Sequence, residues 1–388
     1  MEMRDLKNID VCGKYVLVRD DFNVQIVDGN ITDSFRIDAS MKTIKHLSNN
    51  GARVVICSHL GRPKGQKVQD LSLKVVAEYM NVPFVDDCLR KDFLADMKNG
   101  DVVLLENLRF YSGEEDNDDS FAQKLANGFD LYVNDAFAVS HRNAASIVAV
   151  TKFLPSFAGE LLIKEIENIS AVMNNPEHPL VVVIGGSKVS TKINVLKKLV
   201  PIADKMVIGG AMGTTFNFAL GKPVGDSLYE ESMIDVVHEI IDLAKQNNCE
   251  LLLPLDKGVG KVFDKNTKRE NRDVDDIHDD DVIMDDGEKT IARNIELLKE
   301  ARTVLWNGTF GMAEWGEKWG RASFDFARAL AHFTKKGDIK SIVGGGDTVA
   351  ALDSCGVLPD MTYVSTGGGA FLEFIEGKEL PGIKALEI

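Results

Sequence analysis

Arg36, Arg62, Arg109 and Arg142, with His59 among them, each fall just past a short apolar run or at the start of a helical pattern. Arginine forks match the oxygens of carboxylates and phosphates, so five cations recurring in such places suit a small polyanion. Asp21 and Asn23 follow Arg19 in the same way, and Asp135 follows Asn134. One arginine alone reads more simply as a surface partner for a neighbouring acid, and His59 alone as a buried imidazole. The recurrence is what points to a binding rim.

The second half of the chain carries different chemistry at equivalent places. Apolar runs lead into Gly185-Gly186, Gly209-Gly210, Gly308, Gly344-Gly345-Gly346 and Gly367-Gly368-Gly369. Glycine lets backbone N–H groups approach phosphate closely, and a following helix N-terminus adds favourable partial charge. Five such loops predict a nucleotide cradle. Lys188 and Lys192 follow Gly185-Gly186 at i,i+4 spacing and would share one face of a helix. Cations in a first helical turn oppose the macrodipole unless an anion lies between. Asp347 opens the pattern after the Gly344 triplet, as an N-cap or as a Mg²⁺ ligand. The dinucleotide fingerprint, the Walker A segment and the protein-kinase signatures are all missing.

These residues need a scaffold that delivers loops to one edge. Near-continuous Val/Ile/Leu runs alternate with helical patterns, which predicts an α/β fold with parallel sheets covered on both faces. The strands read as Tyr15–Arg19, Arg53–Ser58, Val102–Leu105, Leu131–Asn134, Leu180–Ile184, Lys205–Ile208, Leu251–Leu253, Thr303–Trp306, Ser341–Val343 and Thr362–Ser365. In open sheets of this kind, ligands bind beyond the carboxyl ends of the strands. An amphipathic helix over 158–174, stopped by Asn174-Asn175-Pro176, places a junction between lobes of residues 1–157 and 175–373.

The 388 residues carry a net charge of −15, which disfavours nucleic-acid and anionic-membrane partners. Nine Asp or Glu between Asp273 and Glu288 read as a solvated loop or edge. Five scattered cysteines with no CxxC fit a reducing cytoplasm and give no zinc site. No secretory signal and no membrane-spanning run are expected.

Taken in order, RDDFNV (Arg19–Val24), DGNITDSFRI (Asp28–Ile37), SHLGRPKG (Ser58–Gly65), LENLRF (Leu105–Phe110), NDAF with His141-Arg142, GGSKVSTK (Gly185–Lys192), WNG with Glu314, GGGDT (Gly344–Thr348) and STGGGA (Ser365–Ala370) resemble the phosphoglycerate kinase family. The resemblance runs from about Val16 to Leu386. It implies two Rossmann-like three-layer lobes joined by a hinge helix, with residues 374–388 packing back on the first lobe. It also implies a monomer whose lobes close on their substrates.

By the same resemblance, Asp21, Phe22, Asn23, Arg36, His59, Leu60, Gly61, Arg62, Arg109 and Arg142 fall on positions for 3-phosphoglycerate. Gly186, Lys192, Gly210, Asn307, Glu314, Gly345, Gly346, Asp347 and Thr348 fall on positions for ATP or ADP, with Asp347 toward Mg²⁺. Arg36 and Lys188 fall on positions that act on the transferred phosphoryl group. The chain departs from the usual pattern at Asp20, Gln25, Asn143-Ala144, Thr309 and Ala211, and in the Thr191 and Phe371 forms that some branches share. Asp20 would weaken triose binding if it pointed at the site. A non-catalytic nucleotide- or anion-binding scaffold on the same fold is the competing reading; an NAD-dependent dehydrogenase fails on its glycine spacing.

Overall fold

The computed structural model describes residues 3–387. Contacts divide the chain into two units: residues up to Glu167 together with those from Lys378 on, and Asn168–Gly377. The division falls inside the helix Glu160–Asn174 rather than at its ends, and the returning segment begins at Lys378 rather than at 374.

The first unit contains β1 (Tyr15–Arg19), the short hairpin β2 (Ile26–Val27) and β3 (Asn30–Ile31), β4 (Arg53–Cys57), β5 (Phe84–Val85), β6 (Val102–Leu105), β7 (Leu131–Asn134) and β8 (Ser156–Ala158). Six of these form a parallel sheet in the order β5-β6-β4-β1-β7-β8. Alternate residues feed two cores. Leu17, Val55, Val103 and Tyr132 pack on one face, and Val18, Val54, Leu104 and Val133 on the other. Burial on both faces is why these strands are continuously apolar.

Register aligns Arg19 with Cys57 and with Asn134. The loops that follow therefore leave the sheet at one level. The final segment belongs to this unit: Gly382 N–H donates to the Ser140 carbonyl at 2.8 Å, and Asn134 Nδ2 donates to the Gly382 carbonyl at 3.4 Å.

The second unit contains β9 (Leu180–Ile184), β10 (Lys205–Ile208), β11 (Glu250–Leu252), β12 (Asp256–Gly260), β13 (Glu270–Asp273), β14 (Val282–Asp286), β15 (Thr303–Asn307), β16 (Lys340–Gly344) and β17 (Tyr363–Val364). Its parallel sheet runs β11-β10-β9-β15-β16-β17. Ile184 aligns with Ile208 and with Asn307, and Asn307 with Gly344, so the glycine loops also share one end. An antiparallel sheet, β13-β12-β14, has no counterpart in the sequence reading. Its strands are rich in Asp, Lys and Gly, which hides them from an apolar-run criterion. The acidic run is correspondingly not a solvated edge throughout: Asp281, Asp285 and Asp286 are buried.

Candidate functional site

In the first unit, the loop after β1 places Asp21, Phe22 and Asn23, with Asp21 and Phe22 buried. Arg36, in the first turn of the helix Phe35–Asn49, donates from Nη1 to the Asn23 carbonyl at 2.9 Å and lies 3.2 Å from Asp21 Oδ2. Burial alone would raise the Asp21 carboxyl. Arg36 overcomes that, helped by the Asn23 N–H donating to Asp21 Oδ1 at 3.0 Å, and holds it below the usual range.

His59 Nδ1 sits 3.6 Å from Asp21 Oδ1 and 3.3 Å from Arg19 Nη2. Its burial pushes the imidazole well below its ordinary pKa; Asp21 opposes the shift, while Arg19, Arg109 and Arg36 reinforce it. His59 is therefore neutral and is not the fifth cation the sequence suggested. Gly61 takes φ of +62°, where a Cβ would also come within 2.6 Å of Leu71. Its N–H donates to Asn23 Oδ1 at 2.8 Å, and its carbonyl accepts from Arg109 Nη1 at 2.6 Å. The Leu60 carbonyl accepts from Asn107 Nδ2 at 2.7 Å.

Arg109 is buried, and burial, with Arg19 and Arg142 next, lowers its pKa to about 10. Its Nε stands 3.5 Å from Glu115. Among the described residues, neither Arg62 nor Arg142 has an ion-pair partner, and the buried Arg142 Nε has no hydrogen-bond acceptor. Arg36 and Arg109 thus both bear on His59, and Arg142 bears on Arg109 with a charge that no described carboxylate pairs.

Asp20 is wholly buried and does not point outward. No hydrogen bond of ordinary geometry reaches either of its carboxylate oxygens. Burial first, and the Asp135 carboxylate next, push it well above the ordinary range; Ser40 and Arg19 oppose this only in part. Asp135 is itself raised to about 6, chiefly by burial, and its Oδ1 accepts from Leu162 N–H at 3.0 Å, capping the helix Glu160–Asn174. A carboxyl whose pKa is raised by folding contributes most below its unfolded pKa. That contribution is lost as pH rises through the folded value. Asp20→Asn is accordingly expected to stabilise the protein at pH 8 by about 1–3 kcal/mol, the scale of a buried unsatisfied polar group. The gain should shrink toward pH 5, as read from urea melts at the two pH values. A gain that grows on acidification would contradict the assignment.

In the second unit, a cavity of about 520 Å³ is lined by Gly186, Ser187, Gly210, Ala211, Glu314 and Asp347, with Leu228, Phe263, Met284, Phe310 and Met312 among its apolar walls. The helix Gly210–Ala219 begins at the cavity with Gly210 at φ +67°. Gly345, at φ +99°, caps the helix Gly346–Ser354, and Asp347 lies in its first turn rather than at the cap. Thr348 is buried and its Oγ1 accepts from Gly308 N–H at 2.6 Å. Asn307 Nδ2 donates to the Gly344 carbonyl at 2.7 Å.

Lys188 and Lys192 do not share a helix face, because the helix starts only at Ile193 and Lys192 is its cap residue. Glycines at 185 and 186 and a turn at 190–192 delay its start. Lys192 Nζ donates to the Gly185 carbonyl at 2.8 Å and to Asn307 Oδ1 at 2.7 Å. Burial lowers its pKa to about 8, with Asp347 pulling the other way. It ties two loops together, while Lys188 is exposed beside them.

A sequence profile of the phosphoglycerate kinase family matches residues 6–378. The chain belongs to the phosphoglycerate kinase family. It is 42% identical over 396 residues to the phosphoglycerate kinase of Caulobacter vibrioides, and 45% over 397 residues to that of Borrelia turicatae, each match covering 100% of both chains. The solved phosphoglycerate kinase of Coxiella burnetii superposes with a TM-score of 0.86 at 38% identity, covering 99% of this chain and 98% of that one. The enzyme from Pyrococcus horikoshii does so with a TM-score of 0.85 at 29% identity and the same coverage.

As a phosphoglycerate kinase family member, the chain is a phosphotransferase built on two α/β units. Motif reading missed the apolar walls of the cavity, since Leu228, Phe263 and Met312 belong to no glycine loop. It also missed Lys257 and Asp286, buried below the Gly209-Gly210 loop. The charged and glycine-rich strand Asp256–Gly260 gives no local signal for them.

Proposed function

We propose that the chain catalyses reversible phosphoryl transfer between ATP and the carboxylate of 3-phosphoglycerate, giving 1,3-bisphosphoglycerate and ADP. Beyond family membership, the observation that carries this reading is the grouping of Arg36 and Arg109 about His59, with Arg142 next to Arg109 and without an ion-pair partner among the described residues, which suits a phosphorylated carboxylate. The acceptor carboxylate is already ionised at neutral pH, with a pKa of about 3.5, so no general base is needed. The neutral His59 is consistent with that. What remains is to bring two polyanions together and to offset charge on the transferring oxygens.

Arg36 is assigned to the triose and the transferred group, and Lys188 to the transferred group from the nucleotide side. Asp21, Asn23, His59 and Gly61 orient the arginines and the triose. Backbone amides at Gly186, Gly210, Gly345 and Gly346 take the nucleotide phosphates, Glu314 takes ribose hydroxyls, and Lys192, Asn307 and Thr348 brace the loops. The exposed Asp347 carboxylate has no hydrogen-bond or ion-pair partner among the described residues and lies on the cavity wall. One carboxylate plus substrate phosphates is a donor set that fits Mg²⁺, so Asp347 would hold it. When bound, the ion neutralises phosphate charge.

No described helix is long and apolar enough to cross a membrane. The acidic charge and the free thiols support a reducing compartment and small-molecule rather than nucleic-acid partners, and the family resemblance supports a cytoplasmic monomer. An assay for 3-phosphoglycerate-dependent ADP formation, coupled to an ADP sensor, tests the reaction. Turnover that needs both substrates and stops with EDTA is expected. Nucleotide binding without turnover would leave the scaffold reading in its place.

A further inference from the structure

Below the loop that opens the helix Gly210–Ala219 lies an ion pair that no glycine motif contains. Lys257 of β12 and Asp286 of β14 are directly opposed in the antiparallel register. Each is 1% exposed, and Lys257 Nζ lies 2.7 Å from Asp286 Oδ1. The same Nζ donates to the Gly210 carbonyl at 3.2 Å. A Cβ on Gly209 would come within 2.9 Å of Asp286 Oδ2, so the carboxylate is packed directly under the loop.

Burial raises the Asp286 carboxyl, while Lys257, and after it the Gly210 backbone N–H, oppose that shift and favour the charged form. Arg269 Nη2 donates to the Asp286 backbone carbonyl at 2.9 Å and fixes the strand from the other side.

The peptide unit explains why a bond to that carbonyl matters. The C=O of Gly210 and the N–H of Ala211 belong to one planar trans peptide and point in opposite directions. A donor that fixes the carbonyl therefore also fixes where the Ala211 N–H points. Ala211 lines the cavity. Gly210 sits at φ +67°, a conformation open to glycine with no side chain of its own to restrain rotation of the plane. The only cation on this carbonyl among the described hydrogen bonds is Lys257.

We propose that Lys257 and Asp286 are a positioning pair for nucleotide binding: Lys257 holds the Gly210–Ala211 peptide so that its amide faces the phosphates. Asp286 makes the buried ammonium tolerable. This rests on the reading of the cavity as the nucleotide site.

A purely structural ion pair and a positioning pair respond differently to replacement. Removing one member of a buried pair leaves an uncompensated charge, whereas replacing both by apolar residues of similar size commonly restores stability. The double variant Lys257→Leu/Asp286→Leu would keep the core filled but leave the Gly210 carbonyl without its charged donor.

The test is steady-state kinetics with MgATP and 3-phosphoglycerate on wild type and double variant, alongside thermal melts. The expected result is a melting midpoint within a few degrees of wild type. The KM for ATP should rise about tenfold, the scale of one charge-assisted hydrogen bond. The KM for 3-phosphoglycerate should stay within about twofold of wild type, since no triose contact is touched. A double variant with the wild-type KM for ATP overturns the proposal.

If the double variant does not fold, Lys257→Met at 10 °C, titrated separately with ADP and with 3-phosphoglycerate by calorimetry, decides the matter. Selective loss of ADP affinity supports the pair, and parallel loss of both ligands overturns it. Wild-type enzyme without turnover would count against the reaction assignment, while the ADP titrations still report on the loop.

Discussion

Lys188→Ala is expected to lower kcat by about 10²–10³-fold while changing the dissociation constant for ADP by less than about threefold, the pattern of a group that acts on charge developing in the transition state. The ammonium is exposed next to the cavity and has no ion-pair partner among the described residues, so nothing in the protein competes for it. Lys192 contrasts with it. Its Nζ is engaged by the Gly185 carbonyl and by Asn307, so Lys192→Ala should loosen two loops and raise the KM for ATP along with lowering turnover. Single-turnover kinetics with ADP titrations on both variants separate the two roles. Equal losses of kcat and ADP affinity in Lys188→Ala would remove that residue from the transition state.

Arg36→Ala should have an effect of similar size, on the order of 10²–10³ in kcat, with ADP binding untouched. Two losses combine. The guanidinium no longer offsets charge on the transferred group, and the Asp21 carboxylate, now without its counter-charge 3.2 Å away, repels the triose. The KM for 3-phosphoglycerate should therefore rise as well. Arg36→Lys should recover only part of the activity, because an ammonium cannot keep the Asn23 carbonyl, Asp21 and the substrate in one planar fork. Calorimetric titration with ADP is the control: lost ADP binding would mean that Arg36 serves the nucleotide.

The parallel sheets were legible because buried parallel strands must be continuously apolar. Leu180–Ile184 and Leu131–Asn134 are read from the sequence with the ends the structure shows. The antiparallel sheet was not legible, since Asp256–Gly260 and Glu270–Asp273 carry charge and glycine where an apolar run is sought. Its charged residues are tolerated through pairing, as with Lys257 and Asp286, and pairing across 29 residues leaves no local pattern.

The arginine positions were legible from their recurrence past strand ends, but the state of His59 was not. Its neutrality arises from burial and three surrounding arginines, which only the assembled loops supply. Similarly, Lys188 and Lys192 share helical spacing, yet the turn before Ile193 keeps them off one helix face.

The central claim is a division of labour, with arginines of the first unit receiving the triose and glycine-loop amides of the second receiving the nucleotide. A crystal structure of the chain with 3-phosphoglycerate and ADP bound together tests it most directly. The account predicts the triose on Arg36, Arg62, Arg109 and Arg142, and the ADP phosphates on the amides of Gly210 and Ala211. ADP phosphates on the arginines, or 3-phosphoglycerate in the cavity between Gly186 and Glu314, would contradict it.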